Sequence, residues 1–289
     1  MNTTETKSLA NSNSTPTLGV SAPRETRGLE GSIKEGVSVI KVGGAVVEDP
    51  EQLAQLLNDF ASIPGKKILV HGGGRRATKI ASQLGIESKM VDGRRITDAE
   101  MLSVVTMVYG GLVNKNLVAQ LQAKGVNALG LTGADMDIIR SHKRPVTPLQ
   151  LPRGGETMVD FGYVGDVDYA DGDRLAQLLN SGVTPVIAPL THDGNGNILN
   201  TNADTMASTV AKALAKHFDV TLTFSFEKKG VLSNPDDEDS VIPIITRELY
   251  DKYVADGVIS GGMMPKIENA LEAVDAGVKK VVIAGTTIQ

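Results

Sequence analysis

Cysteine is absent from the 289 residues, which excludes disulfides, thiolate nucleophiles and cysteine-based metal sites. Tryptophan is absent too, and five Phe and five Tyr make no platform for stacked bases or sugars. Four His residues are too few for a His-rich metal centre. Positive charge is not in excess. Lys plus Arg is 29 and Asp plus Glu is 34, a net −5, whereas a nucleic-acid binder favours a basic surface. No run of apolar residues approaches the ~18 of a membrane helix. A soluble, cytoplasmic chain with neither nucleic-acid nor membrane partners is therefore expected.

Apolar periodicity is missing from residues 1–36. Ser, Thr and Asn dominate there, with Pro16 and Pro23, so the stretch reads as a disordered tail that cannot offset its ordering entropy. It has no apolar h-region of a secretory signal, and its acidic residues argue against a transit peptide.

What is abundant is glycine, 31 residues, placed in clusters. From Val37 onward β-rich runs alternate with segments of helical period. Examples are the run Val37–Val42 and the helix after Asp49-Pro50 with Leu53, Leu56, Leu57 and Phe60 at i, i+3, i+4, i+7 spacing. The alternation predicts an α/β fold, an open and mainly parallel sheet between two helical layers. Ligands on such sheets bind at the carboxyl ends of the strands.

Four clusters carry chemistry. Lys41, at the end of the first strand and followed by Gly43-Gly44, suits an anionic phosphate, although a snorkelling surface lysine would look the same. His71-Gly72-Gly73-Gly74 exposes N–H groups where a helix begins, a natural anion site. The stretch Gly72 to Ala77 also fits G-x-G-x-x-A with Asp92 twenty residues on, which keeps a nicotinamide-dependent oxidoreductase open. In Asn200-Thr201-Asn202-Ala203-Asp204 one side chain can be a helix N-cap, and the others are then free for a ligand. Gly261-Gly262-Met263-Met264-Pro265-Lys266 puts a cation in the first turn of a helix, where only an anion makes it favourable. Asp193, Asn195 and Asn197 mimic half an EF-hand, but Ile198 stands where glycine is required. Asp160-Phe161-Gly162 spells a kinase triplet without its companion loops.

Together with Arg94-Arg95-Ile96-Thr97-Asp98, Val113-Asn114-Lys115 and Gly165-Asp166-Val167, these clusters resemble, in order, those of the N-acetylglutamate kinases, a branch of the amino acid kinase family. The resemblance runs from about Val37 to Ile283. It implies the carbamate kinase-like αβα sandwich, with an acylglutamate lobe at about 37–180 and an ATP lobe at about 181–289. The implied reaction is ATP-dependent phosphorylation of the γ-carboxylate of an N-acyl-L-glutamate in arginine biosynthesis. N-acetyl is the expected acyl group and N-succinyl the alternative. A non-catalytic amino-acid-binding module of the same fold is a more distant reading.

Carried over residue by residue, the resemblance makes Lys41, Lys266 and Asp204 catalytic. Gly73, Gly74, Arg95 and Asn200 would bind the acyl amino acid, and Gly43, Gly44, Glu227 and Gly230 the nucleotide. Mg²⁺ would arrive on the ATP phosphates, without protein ligands of its own, and the enzyme would be a homodimer. Three departures stand out. The nucleotide segment usually written Thr-Asp-Val-x-Gly-Val is here Phe226-Glu227-Lys228-Lys229-Gly230-Val231, and Arg75 replaces the usual Pro after the triplet. The loop and helix before the terminal Gly285-Thr286-Thr287-Ile288 are missing. Arg75 and Lys89 are the cations that a succinyl carboxylate would need.

Overall fold

The computed structural model describes residues 34–91, 94–150, 156–225, 229–234, 236–260 and 263–289. Most of the expected tail, Asp92, Gly93, Glu227, Gly261 and Gly262 lie outside the described residues. The tail was expected to end at residue 36. Lys34 and Glu35 already belong to the fold, since Lys34 Nζ donates to Ala215 O at 2.8 Å and Asp219 N to Glu35 O at 2.9 Å.

The chain begins with β1 (Gly36–Val42), a one-turn helix α1 (Gly44–Glu48), α2 (Pro50–Ser62), β2 (Lys66–His71) and α3 (Gly74–Gln83). A small hairpin, β3 (Met90–Val91) and β4 (Arg94–Arg95), leads to α4 (Ala99–Val105), a π-helical stretch at Thr106–Val113 and α5 (Asn114–Gln122). Then come β5 (Ala128–Leu131), β6 (Ile139–Lys143), β7 (Thr147–Gln150), β8 (Glu156–Val159), β9 (Gly165–Ala170) and α6 (Gly172–Asn180). The rest is β10 (Thr184–Ile187), β11 (Leu190–His192), β12 (Ile198–Asn200), α7 (Ala203–Leu214), β13 (Asp219–Phe224), β14 (Ile244–Ile245), α8 (Arg247–Ala255), α9 (Met263–Asp275), β15 (Lys280–Ile283) and β16 (Thr286–Ile288).

Eight strands form the main sheet, in the order β14-β16-β15-β13-β1-β2-β10-β5, all parallel except β15 against β16. Alternation of side chains makes it a middle layer. Val37, Val39, Ile68 and Val70 enter a core shared with α6, α7 and α9, while Ile40, Val42 and Leu69 enter a second core shared with α2 to α5. This is the expected three-layer α/β sandwich. A four-stranded sheet, β12-β11-β6-β9, lies apart from it, and β7 and β8 pair as a separate antiparallel hairpin.

The helix starts follow their caps. Asp49, Asp98, Asp171, Asn202 and Thr246 each accept a backbone N–H of the first turn. A tight turn at Ala284-Gly285 folds β16 antiparallel onto β15, with Ala284 at φ 49°. Asp193 has turn duty instead of calcium duty, because its carboxylate accepts from Asn195 N, Asn197 N and Asn197 Nδ2.

One expectation needs correction. The continuous helix Ala99–Gln122 reaches a mean hydropathy of 1.2 over 18 residues, enough by length and composition to cross a membrane. Here Met101, Val104, Val105, Val108, Val113, Leu117 and Leu121 are buried in the second core, so its apolar face is used by the fold.

Candidate active site

β1 ends in the middle of the sheet, with β13 and β2 on either side, and carries Lys41 to the carboxyl edge. Across from it, Asn202 caps α7 by accepting from Asp204 N (2.7 Å) and Thr205 N (3.1 Å). The bland role thus falls to Asn202, which leaves Asn200 and Asp204 free to face the cleft. Lys41 Nζ stands 2.8 Å from Asp204 Oδ1, and Lys41 is mostly buried. The contact is ionic and off hydrogen-bond geometry, since no described donor satisfies the buried Oδ1 by angle as well as distance. Lys266 is the third member. Burial pulls its pKa below the usual lysine value, the charge of Lys41 pulls it further, and Asp204 opposes both. Two lysines and one carboxylate from three separate elements therefore share one electrostatic neighbourhood.

The two glycine turns abut. Gly72 N donates to Val42 O at 2.9 Å, which ties the start of the triplet to the end of β1. A Cβ built on Gly44 would lie 3.6 Å from both Gly73 N and Gly74 N, so the triplet's amides face the Gly43–Gly44 turn. Gly43 has an ordinary extended backbone (φ −73°, ψ 156°), and a Cβ there would meet nothing within 4 Å. Gly73 differs, because its Cβ would sit 2.7 Å from the Tyr109 ring. Packing against Tyr109 is therefore a sufficient reason for glycine at Gly73.

A cavity of about 650 Å³ collects most of these residues. Gly73, Gly74, Arg95, Asn200, Asp204 and Lys266 all line it, with Tyr109, Lys212 and Asn269. Arg95 is buried and held from several sides. Nη2 donates to Gly74 O (3.0 Å) and Thr78 Oγ1 (2.8 Å), and Nη1 to Ser88 Oγ (2.8 Å). Arg94 lines the same cavity but is exposed. Asn200 is buried, and its Nδ2 donates to Thr97 Oγ1 at 2.9 Å.

Gly230 is not brought to this cavity. It packs in the C-terminal region, where its Cβ would meet Val241 Cγ1 at 2.6 Å and Thr286 Oγ1 at 2.9 Å. Arg75 lines a separate groove with Ala45, Glu48 and Asp49, so the structure does not support its use as an acyl-pocket cation. Gly162 of the Asp-Phe-Gly triplet has φ +72°, and a Cβ there would collide with Thr97 O, so the turn itself requires glycine.

Sequence reasoning missed three features. Tyr109 lines the cavity and packs on Gly73 close to Arg95, and burial raises its pKa. Its signal is being the one aromatic of Ala99–Gln122, set before Gly110-Gly111 inside a helix. It sits on the π-helical stretch, a distortion frequent at functional sites. Arg144, paired with Asp166 and stacked 5.4 Å from the Phe161 ring centroid, also lines the cavity and belongs to no motif. The third is the buried His71–Asn114 pair behind the glycine triplet.

Residues 36–285 match the model of the Amino acid kinase family, and the chain belongs to that family. It is 66% identical over 251 residues to the acetylglutamate kinase of Bacteroides thetaiotaomicron, covering 87% of this chain and 94% of that one. It is 41% identical over 247 residues to the acetylglutamate kinase of Methanopyrus kandleri, covering 86% of this chain and 94% of that one. Among solved structures, the smu.665 protein of Streptococcus mutans superposes with a TM-score of 0.66 at 30% identity over 88% of this chain and 98% of that one. The carbamate kinase of Giardia lamblia bound to AMP-PNP gives 0.60 at 16% identity over 89% and 98%, a likeness of fold alone.

Proposed function

We propose that this chain is an acetylglutamate kinase, which transfers the γ-phosphoryl group of ATP to the γ-carboxylate of N-acetyl-L-glutamate in arginine biosynthesis. The observation that carries the reading is the Lys41–Asp204–Lys266 cluster beside two abutting glycine turns. The strong likeness to acetylglutamate kinases supports it and disfavours the oxidoreductase reading.

The chemistry asks little more of the protein. The attacking carboxylate has a pKa of roughly 4.3 and is ionised at neutral pH, so no general base is required. What remains is alignment and dispersal of negative charge as the phosphoryl group moves between two oxygens. We assign Lys41 and Lys266 to that charge, from opposite sides, and Asp204 to holding both ammonium groups in place. The N–H groups of Gly73 and Gly74 orient the acceptor carboxylate, and those of Gly43 and Gly44 receive phosphate oxygens. Gly43, with open space where a Cβ would stand, fits such an approach. Arg95 pairs with the α-carboxylate and Asn200 with the acylamino group. ATP enters as its magnesium complex, which neutralises part of the phosphate charge.

We place the acylglutamate among residues up to about 180 and the nucleotide among those beyond. Asn200 reaches back across that boundary to Thr97. We also assign a cytoplasmic homodimer. Support for self-association is the exposed Met107 and Leu112 on Ala99–Gln122. Light scattering tests the dimer. The activity is tested by ADP release with N-acetyl-, N-succinyl- and free glutamate. Turnover fastest with N-acetylglutamate is expected, and none with any of them overturns the reading.

A further inference from the structure

Behind the glycine triplet lies a histidine that the reaction as described does not use. His71 ends β2, is fully buried, and does not line the cavity. Its Nδ1 is 2.8 Å from Gly72 O, and its Nε2 is 3.1 Å from Asn114 Nδ2. Asn114 Nδ2 is also 2.9 Å from Val186 O.

These distances fix the protons. A backbone carbonyl only accepts, so the Asn114 atom beside Val186 O is the amide nitrogen, and its second hydrogen goes to Nε2. Nε2 is then an acceptor, and Nδ1 carries the ring proton and donates it to Gly72 O. Burial pushes the His71 pKa down to about 4, and Lys115 works in the same direction, so the ring is neutral. It is also held in the single tautomer its neighbours dictate.

The consequence lies one peptide further on. The Gly72–Gly73 bond is trans, and a trans peptide is planar with its N–H opposite its C=O. With Gly72 O turned to the His71 ring, the Gly73 N–H points away from it. Gly73 N is the atom 3.6 Å from where a Gly44 Cβ would stand, on the side where the two glycine turns meet. A glycine peptide has no side chain to hold its orientation, and nothing in the triplet's own sequence prevents a flip.

We propose that His71 is a positioning residue: its Nδ1–H locks the Gly72–Gly73 peptide so that the Gly73 N–H faces the acceptor carboxylate, and Asn114 locks the His71 tautomer. This rests on the assignment of Gly73 N–H to the acceptor carboxylate.

Two amide variants and one spectrum test it. In His71→Asn the side-chain nitrogen can take the place of Nδ1 and keep the donor to Gly72 O. In His71→Gln the nitrogen reaches toward the place of Nε2 and loses it. A purely structural role treats two buried amides alike. We expect kcat of His71→Asn within about 3-fold of the parent. Loss or misalignment of one such donor should lower kcat of His71→Gln by about 10- to 100-fold, with the KM for ATP unchanged within two-fold. Equal kcat in the two folded variants overturns the proposal. Independently of any activity, long-range ¹H–¹⁵N spectra of the unaltered protein at neutral pH should show His71 protonated on Nδ1. A ring protonated on Nε2 overturns the proposal even if both variants fail to fold. An Nδ1-protonated ring without acylglutamate kinase turnover would leave the network standing and remove only the assigned reaction.

Discussion

The two glycine turns that meet at the site are glycine for different reasons. At Gly73 the protein itself demands it, because the Tyr109 ring occupies the space a Cβ would need. At Gly43 no neighbouring atom and no unusual φ demands it. A run of glycines in sequence therefore mixes positions fixed by packing with positions left open for a ligand, and only the surroundings separate them. The two lysines share Asp204 differently. Lys41 Nζ stands 2.8 Å from its Oδ1, whereas at Lys266, in a helix first turn, burial lowers the pKa, Asp204 raises it and Lys41 lowers it.

The largest effect is expected where both turns converge. Lys41→Ala should lower kcat by about 10²–10³-fold with little change in either KM, because the lost charge acts mainly in the transition state. Steady-state kinetics decide it, and near-normal turnover would remove Lys41 from its assigned role. Gly73→Ala and Gly43→Ala then divide the turns. The first should destabilise the fold by about 1–3 kcal/mol through overpacking against Tyr109. The second should leave stability within ~0.5 kcal/mol, as surface substitutions do, and raise the KM for ATP. Denaturant titrations of both variants would erase the contrast if they gave equal losses.

A smaller effect follows from pH. His71 is pushed down to about 4 by burial, from 6.5 in the unfolded chain. Below 6.5 the unfolded chain takes up a proton that the folded protein refuses. The stabilisation from keeping the ring neutral is complete above pH 6.5 and is lost as pH falls toward 4. Between pH 7 and 5 this amounts to about 2 kcal/mol, from 1.36 kcal/mol per pKa unit. His71→Asn lacks the titration, so its loss of stability over that interval should be smaller by about that much. Parallel losses in the two proteins would show that His71 does not drive the change.

Much of the architecture is written locally. Asp49-Pro50, Asp98, Asp171 and Thr246 announce their helices, and the core of the main sheet follows from short β-rich runs. The strands β11, β12 and β16 were not foreseen, since each is only three residues long, too short for an alternating pattern to show. The site was legible where a motif brings its own electrostatic oddity, as at Lys41, Asp204 and Lys266. It was not legible where function comes from side chains that meet only in the fold. Tyr109 and Arg95 are 14 positions apart yet both reach Gly74, while Arg144 reaches the cavity from an unremarkable loop. Gly230 and Gly73 show the reverse: motif glycines for which packing alone is a sufficient reason.

The smallest effect concerns the outer flank of the triplet, where two arginines can be compared. Arg95 is buried among Gly74 O, Thr78 and Ser88 and lines the main cavity. Arg75 is exposed, one residue beyond the triplet, and lines the groove beside Glu48 and Asp49. A cation reads a carboxylate strongly only where water is excluded and the fork can align, which is the situation of Arg95 and not of Arg75. Arg95→Ala should therefore raise the KM for N-acetylglutamate sharply and leave that for ATP near normal, and Arg95→Lys should not restore it. Arg75→Ala should leave kcat/KM within about two-fold for N-acetyl- and N-succinylglutamate alike, the small change expected for a surface charge. A loss confined to N-succinylglutamate would move Arg75 from its groove into the acyl pocket, and would mean that the turn after Gly74 swings across when substrate binds.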